Sequence, residues 1–199
     1  MKFMKKSALA LTAIASTAIF SIAPHAWAET APQVKFATSA GEFVVELYPD
    51  KAPKTVENFL QYVRDKHYDG TLFHRVIPNF MIQGGGFDVK YAQKPTRAPV
   101  VHEGRQALEK GGPRNVPGTL AMARTNDPQS ATAQFFINVN NNAFLDPSAQ
   151  AYGYTVFGRV VSGMAVVDAI KSVPTGSAGP FPTDVPKTPI LINSATLVK

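Results

Sequence analysis

The stretch from Phe73 to Phe87 reads F-H-R-V-I-P-N-F-M-I-Q-G-G-G-F. Two short β-rich runs, Leu72 to Ile77 and Phe80 to Gln83, fall across it, and it places one arginine and one glutamine among phenylalanine, methionine, isoleucine and glycines. A second stretch, Gln134-Phe135-Phe136-Ile137-Asn138, adds aromatic surface and another amide. Together they describe an apolar pocket carrying a cation and amides, without a nucleophile, a metal cluster or paired carboxylates. Such an inventory suits a reaction in which no covalent bond is broken.

Working outward, Val34 to Thr38 and Phe43 to Tyr48 flank Ser39-Ala40-Gly41-Glu42 as a hairpin. Pro53 suits a first helical turn, and Val56, Phe59, Leu60 and Val63 follow at i, i+3, i+4 and i+7, which predicts an amphipathic helix ending near Asp69-Gly70. Further strands are expected at Val100 to His102, Thr119 to Ala123, Phe135 to Val139, Val156 to Val161 and Ile190 to Val198, with one more helix over Met164 to Lys171. Short strands with only two helices fit a closed barrel better than a βαβ sheet, which needs a helix between most strands. Tyr91 to Pro117 and Val173 to Pro189 are too rich in proline and glycine to be regular throughout.

The first 28 residues have the parts of an export signal: Lys2, Lys5 and Lys6, an apolar run from Ala8 to Ile22, and Ala26-Trp27-Ala28 as a cleavage site. The run is shorter than the ~20 residues of a spanning helix. A mature chain of 171 residues, beginning at Glu29, is therefore expected as a single domain over 29–199, with no membrane attachment after cleavage. Its address is expected to be the periplasm, with secretion beyond it as the alternative. Without the three signal lysines, 17 basic residues face 14 acidic ones, and they are scattered, so no nucleic-acid surface is expected. The chain has no cysteine, which rules out disulfides, thiolate chemistry and cysteine zinc sites.

Other chemistries find little support. His67, His74 and His102 lack the spacing of a helical metal site, Gly84-Gly85-Gly86 lacks the G-K-[ST] of a phosphate loop, and no serine sits in a G-x-S-x-G elbow. No metal and no cofactor is expected. Phe80, Met81, Phe136 and Leu145 would also suit an ordinary core, and Arg75 a structural pairing with Glu103 or Asp88.

The chain resembles the cyclophilins, the peptidyl-prolyl isomerases. The likeness runs along nearly the whole mature chain, through Phe73-His74-Arg75, Gln83-Gly84-Gly85, Met122-Ala123-Arg124, Gln134-Phe135-Phe136, Leu145-Asp146 and Val156-Phe157-Gly158. It implies an eight-stranded antiparallel β-barrel capped by two helices. It also implies catalytic roles for Arg75, Phe80 and Gln83. Substrate contacts are implied at Met81, Ala123, Arg124, Gln134, Phe136, Phe144, Leu145 and Tyr154. Arg124 stands where many members have asparagine, Tyr154 where many have histidine, and Phe144 where cyclosporin-sensitive members carry tryptophan. Weak cyclosporin binding is implied.

The function expected is acceleration of X-Pro rotation in unfolded or proline-containing polypeptides during folding of exported proteins, by a monomer. The alternative from another class is a proline-peptide-binding chaperone module that needs the groove but no turnover.

Overall fold

The computed structural model describes residues 31–198, so the export signal expected at 1–28 lies outside the described residues. Eight strands close a barrel in the order β1-β10-β3-β4-β6-β5-β7-β2, with every neighbouring pair antiparallel. They are β1 Gln33–Thr38, β2 Gly41–Leu47, β3 Thr71–Ile77, β4 Met81–Asp88, β5 Thr119–Met122, β6 Phe135–Asn138, β7 Val156–Ser162 and β10 Leu191–Leu197. This is the eight-stranded barrel implied by the resemblance. Phe36, Phe43, Phe59, Tyr68, Phe135 and Phe157 interlock in its centre, with ring centroids 4.9 to 6.3 Å apart in the touching pairs. Burying one such ring stabilises the fold by about 1.5 to 3 kcal/mol.

Helix α1, Pro53–Arg64, buries the predicted stripe of Val56, Phe59, Leu60 and Val63. It stops at Arg64, short of Asp69-Gly70, because Lys66 adopts a left-handed φ of 54° that no helix can continue through. Helix α3, Met164–Lys171, forms over the expected span and buries Val167 and Ile170. None of the described helices is long and apolar enough to cross a membrane.

Three departures from the sequence expectation stand out. The Val100 to His102 strand does not form: Val100 N–H reaches Ala131 O, and His102 N–H reaches the Gln129 side chain, so no ladder partner is present among the described residues. Inside the first proline-rich stretch a short helix α2, Gly104–Glu109, appears. Inside the second, β8 Thr175–Ala178 and β9 Phe181–Pro186 form a separate two-stranded hairpin. Its prolines are tolerated because a two-stranded ribbon has only edge strands.

The position of α1 is set from a distance. Ala52, at its N-cap, offers no side-chain cap. The Glu103 carboxylate supplies one instead, accepting hydrogen bonds from Lys54 N at 3.2 Å, Thr55 N at 2.8 Å and the Thr55 hydroxyl at 2.7 Å. Glu103 is thus no partner for Arg75. Asp88 is not one either, since its carboxylate accepts from Lys90 N and Ala92 N in its own turn.

Candidate active site

Strand register places the site. Arg75 pairs with Gln83 across β3 and β4, Gln83 with Phe136 across β4 and β6, and Phe136 with Ala121 across β6 and β5. Directly opposed residues on an antiparallel sheet point to the same face. The adjacent row, Val76, Ile82, Ile137 and Leu120, is fully buried in the barrel, so the Arg75 row faces outward. On that outer face Met81, Ala121, Phe136, Leu145 and Val156 form a second apolar cluster, apart from the barrel core.

Over this cluster lies a cleft of about 260 Å³. Phe136, Met81, Leu145 and Phe80 line its apolar part, while Arg75 and Gln83 line one side and Ala123, Arg124 and Tyr154 the other. Phe136 and Tyr154 meet edge to face at 5.5 Å between centroids, which stiffens the floor. Phe144 lies outside this lining at the rim, exposed and stacked on Phe80 at 5.5 Å.

The polar members form a chain. Nη1 of Arg75 donates to Oε1 of Gln83 at 3.4 Å, and Nε2 of Gln83 donates to Oε1 of Gln134 at 3.0 Å. Gly86 makes this possible: a Cβ there would fall 2.5 Å from the Gln134 side chain. Gly85, with φ 85°, similarly has no room for a side chain against the Tyr68 ring at 2.8 Å. The glycine run is therefore close packing rather than an anion cradle. Among the described residues neither Arg75 nor Arg124 forms an ion pair.

The three histidines serve separate structural ends. His67 Nε2 bonds Gly85 O at 3.2 Å, and His102 Nε2 bonds Gly153 O at 3.1 Å. His74 packs on Phe87 and Phe181, its Nδ1 without a partner among the described residues, and burial pushes its pKa down to about 4, with the Leu72 backbone opposing and Arg75 adding to the shift. Among the described residues no three His, Asp or Glu side chains converge as a metal site.

Two features escape sequence reasoning. A polar cleft of about 350 Å³ adjoins the first across Gln83, Ala123 and Arg124, and Gln93, Thr96, Thr125, Ser130 and Thr132 contribute to it with Gln134. A buried amide network carries the rim: Asn142 Nδ2 donates to Phe80 O at 2.8 Å and to Asn138 Oδ1 at 2.6 Å. Asp146, within the same network, accepts from Asn115 N at 2.8 Å and Nδ2 at 3.0 Å. The 3-10 turn Ala143–Leu145 between them thus holds Phe144 and Leu145 in place. Nothing local in an N-N-N tripeptide announces such long-range partners.

The family model for cyclophilin type peptidyl-prolyl cis-trans isomerase matches residues 33–197. Over 168 residues the chain is 56% identical to peptidyl-prolyl cis-trans isomerase cyp18 of Streptomyces antibioticus, covering 83% of this chain and 98% of that protein. It is 47% identical to peptidyl-prolyl cis-trans isomerase A of Dickeya dadantii (strain 3937) over 195 residues, 98% of each. A solved Cryptosporidium parvum cyclophilin type isomerase superposes with a TM-score of 0.65 at 22% identity, covering 85% of this chain and 98% of that one, a likeness of fold.

Proposed function

This chain belongs to the cyclophilin-type peptidyl-prolyl cis-trans isomerase family, and from that premise we propose that Arg75 drives X-Pro rotation in exported, unfolded polypeptides. The chain is a peptidyl-prolyl cis-trans isomerase, and its substrates are proline-containing peptides.

An X-Pro amide crosses a barrier of ~18 to 20 kcal/mol, so uncatalysed exchange takes tens to hundreds of seconds. Five decades of acceleration require about 7 kcal/mol of preferential transition-state binding. At the half-turned geometry resonance is lost, and the prolyl nitrogen gains a lone pair absent from either planar isomer. A guanidinium aimed at that nitrogen binds the twisted form in preference, which is what lowers the barrier. One charge-assisted hydrogen bond supplies ~1.5 to 3 kcal/mol. The rest comes from the apolar wall of Phe80, Met81, Phe136 and Leu145, which strips water from the amide, and from donors that grip the flanking carbonyl. Gln83 is the assigned carbonyl donor. Its amide oxygen braces Arg75 while its amide nitrogen is held by Gln134.

The observation that carries this reading is Arg75 on the same cleft as Gln83 and Phe136. A binding-only module needs the apolar slot but gives Arg75 no task. Isomerisation of a proline test peptide followed by exchange NMR should fall about 10- to 100-fold in Arg75→Ala, as the loss of one such bond requires. An unchanged rate removes Arg75 from the mechanism.

The export signal at 1–28 supports a periplasmic site of action, tested by cell fractionation and by the N-terminus of the mature chain. The mature protein is proposed to act as a monomer, without nucleic-acid partners. Weak cyclosporin binding follows from Phe144 at the rim, which presents no indole N–H.

A further inference from the structure

Arg124 lines both clefts, the apolar one that takes proline and the polar one beside it. Its guanidinium is held rigidly. Nε and Nη2 donate to Gly153 O at 3.2 and 2.9 Å, Nη1 donates to Thr125 O at 2.8 Å and Asn126 O at 3.5 Å, and its carbon sits 4.6 Å from the Tyr154 ring centroid. Four of its five N–H donors thus meet neutral carbonyls, and one Nη2 hydrogen is left over. None of these partners cancels the charge. The residues sharing the polar cleft, Gln93, Thr96, Thr125, Thr132 and Gln134, are uncharged as well.

We propose that Arg124 makes this enzyme select substrates with a carboxylate side chain close before or after the prolyl residue. The inference rests on the isomerase reading above and adds to it a substrate class. A peptide whose proline fills the slot beside Phe136 must lay a neighbouring residue across Ala123 toward the polar cleft, since the two clefts meet there. An Asp or Glu side chain arriving there meets a fixed, uncompensated cation whose ordering cost is already met by Gly153 and Tyr154. A lysine at the same place is repelled.

The test uses end-blocked peptides with Glu, Gln or Lys at each of the two positions on either side of one proline, assayed by exchange NMR at low salt. At one position or more, kcat/KM should order Glu above Gln above Lys, with about five- to tenfold between the extremes, the size expected of a partly exposed charge contact. The ordering should shrink in 1 M NaCl, where the screening length falls to about 3 Å. Arg124→Gln should erase the ordering, and Arg124→Lys, which keeps the charge but loses the fork on Gly153, should restore its direction. If Arg124 only props the loop, Arg124→Gln will slow all three peptides equally and leave their ratio intact, which overturns the proposal. A wild-type enzyme indifferent to the charge at all positions overturns it without any variant. Absence of turnover on every peptide, Gln included, would overturn the isomerase reading itself.

Discussion

Gln83 stands opposite Arg75 in the β3–β4 ladder and receives a hydrogen bond from its guanidinium at 3.4 Å. The pairing is closed on the far side by Gln134, 51 residues along the chain, so that the cation proposed to meet the prolyl nitrogen is braced through two amides. A cation that must meet a transient lone pair gains from being positioned beforehand.

Breaking the far end of this brace isolates its contribution. Gln134→Ala leaves Arg75 and the proline slot in place but frees the Gln83 amide. The expected result is a fall in kcat of about three- to tenfold with KM little changed, corresponding to about 1 kcal/mol for a lost neutral hydrogen bond. Steady-state kinetics on the test peptide read the split, and equal loss in both parameters would refute a positioning role.

Phe136→Ala acts on the slot. Phe136 is nearly buried and walls the cleft. Its removal should raise KM at least tenfold, the loss of an aromatic contact surface worth ~1.5 to 3 kcal/mol. Calorimetric titration with a non-isomerisable proline peptide checks affinity directly, and a thermal melt checks that the fold persists.

His74 predicts an acid-sensitive stability. Its folded pKa is about 4 against 6.5 for the ordinary side chain, so the unfolded chain binds more protons between these values. Stability is therefore full above about pH 6.5 and is lost as the pH falls toward 4, by on the order of 3 kcal/mol. His74→Phe, which keeps a ring between Phe87 and Phe181, should flatten that part of the profile. His67 and His102, also held below the usual value mainly by burial, contribute in the same direction in both proteins. Urea unfolding at stepwise pH from 7 to 4 makes the comparison.

Glu103→Ala should cost about 2 to 3 kcal/mol, because it strips the N-terminus of α1 of its acceptor in a buried setting. Glu103→Gln, retaining a carbonyl oxygen, should recover about half. Activity at temperatures well below the melt should be unaffected, since Glu103 does not line the cleft.

On the proposal that the missing indole N–H is what weakens cyclosporin binding, Phe144→Trp should tighten it by about tenfold, one added hydrogen bond, as measured by fluorescence titration. The exposed rim position of Phe144 leaves room for the larger ring.

Local patterning carried the reading far. The stripe Val56, Phe59, Leu60 and Val63 is a periodic signal, and the chain buried it as read. The strands around Phe73 to Gln83 and Phe135 to Asn138 are short alternations that need only neighbours to be recognised. Nine of the eleven site positions expected from the sequence line one cleft, with Gln134 bonded behind it and Phe144 on its rim. What patterning misjudged were segments whose state depends on distant partners. Val100 to His102 has strand composition but no strand beside it, and Thr175 to Pro186 has too many prolines to look regular yet folds as a hairpin packed through Phe181.

By itself, then, the order of residues determined the type of most elements and the chemical inventory of the site, because side-chain period and composition are properties of neighbours along the chain. Tertiary structure alone decided the register that lines up Arg75, Gln83, Phe136 and Ala121, the capping of α1 by Glu103 from 48 residues away, and the meeting of two clefts at Arg124. Closing a barrel fixes all strand pairings together, so these contacts belong to the closed assembly and are written in no single segment.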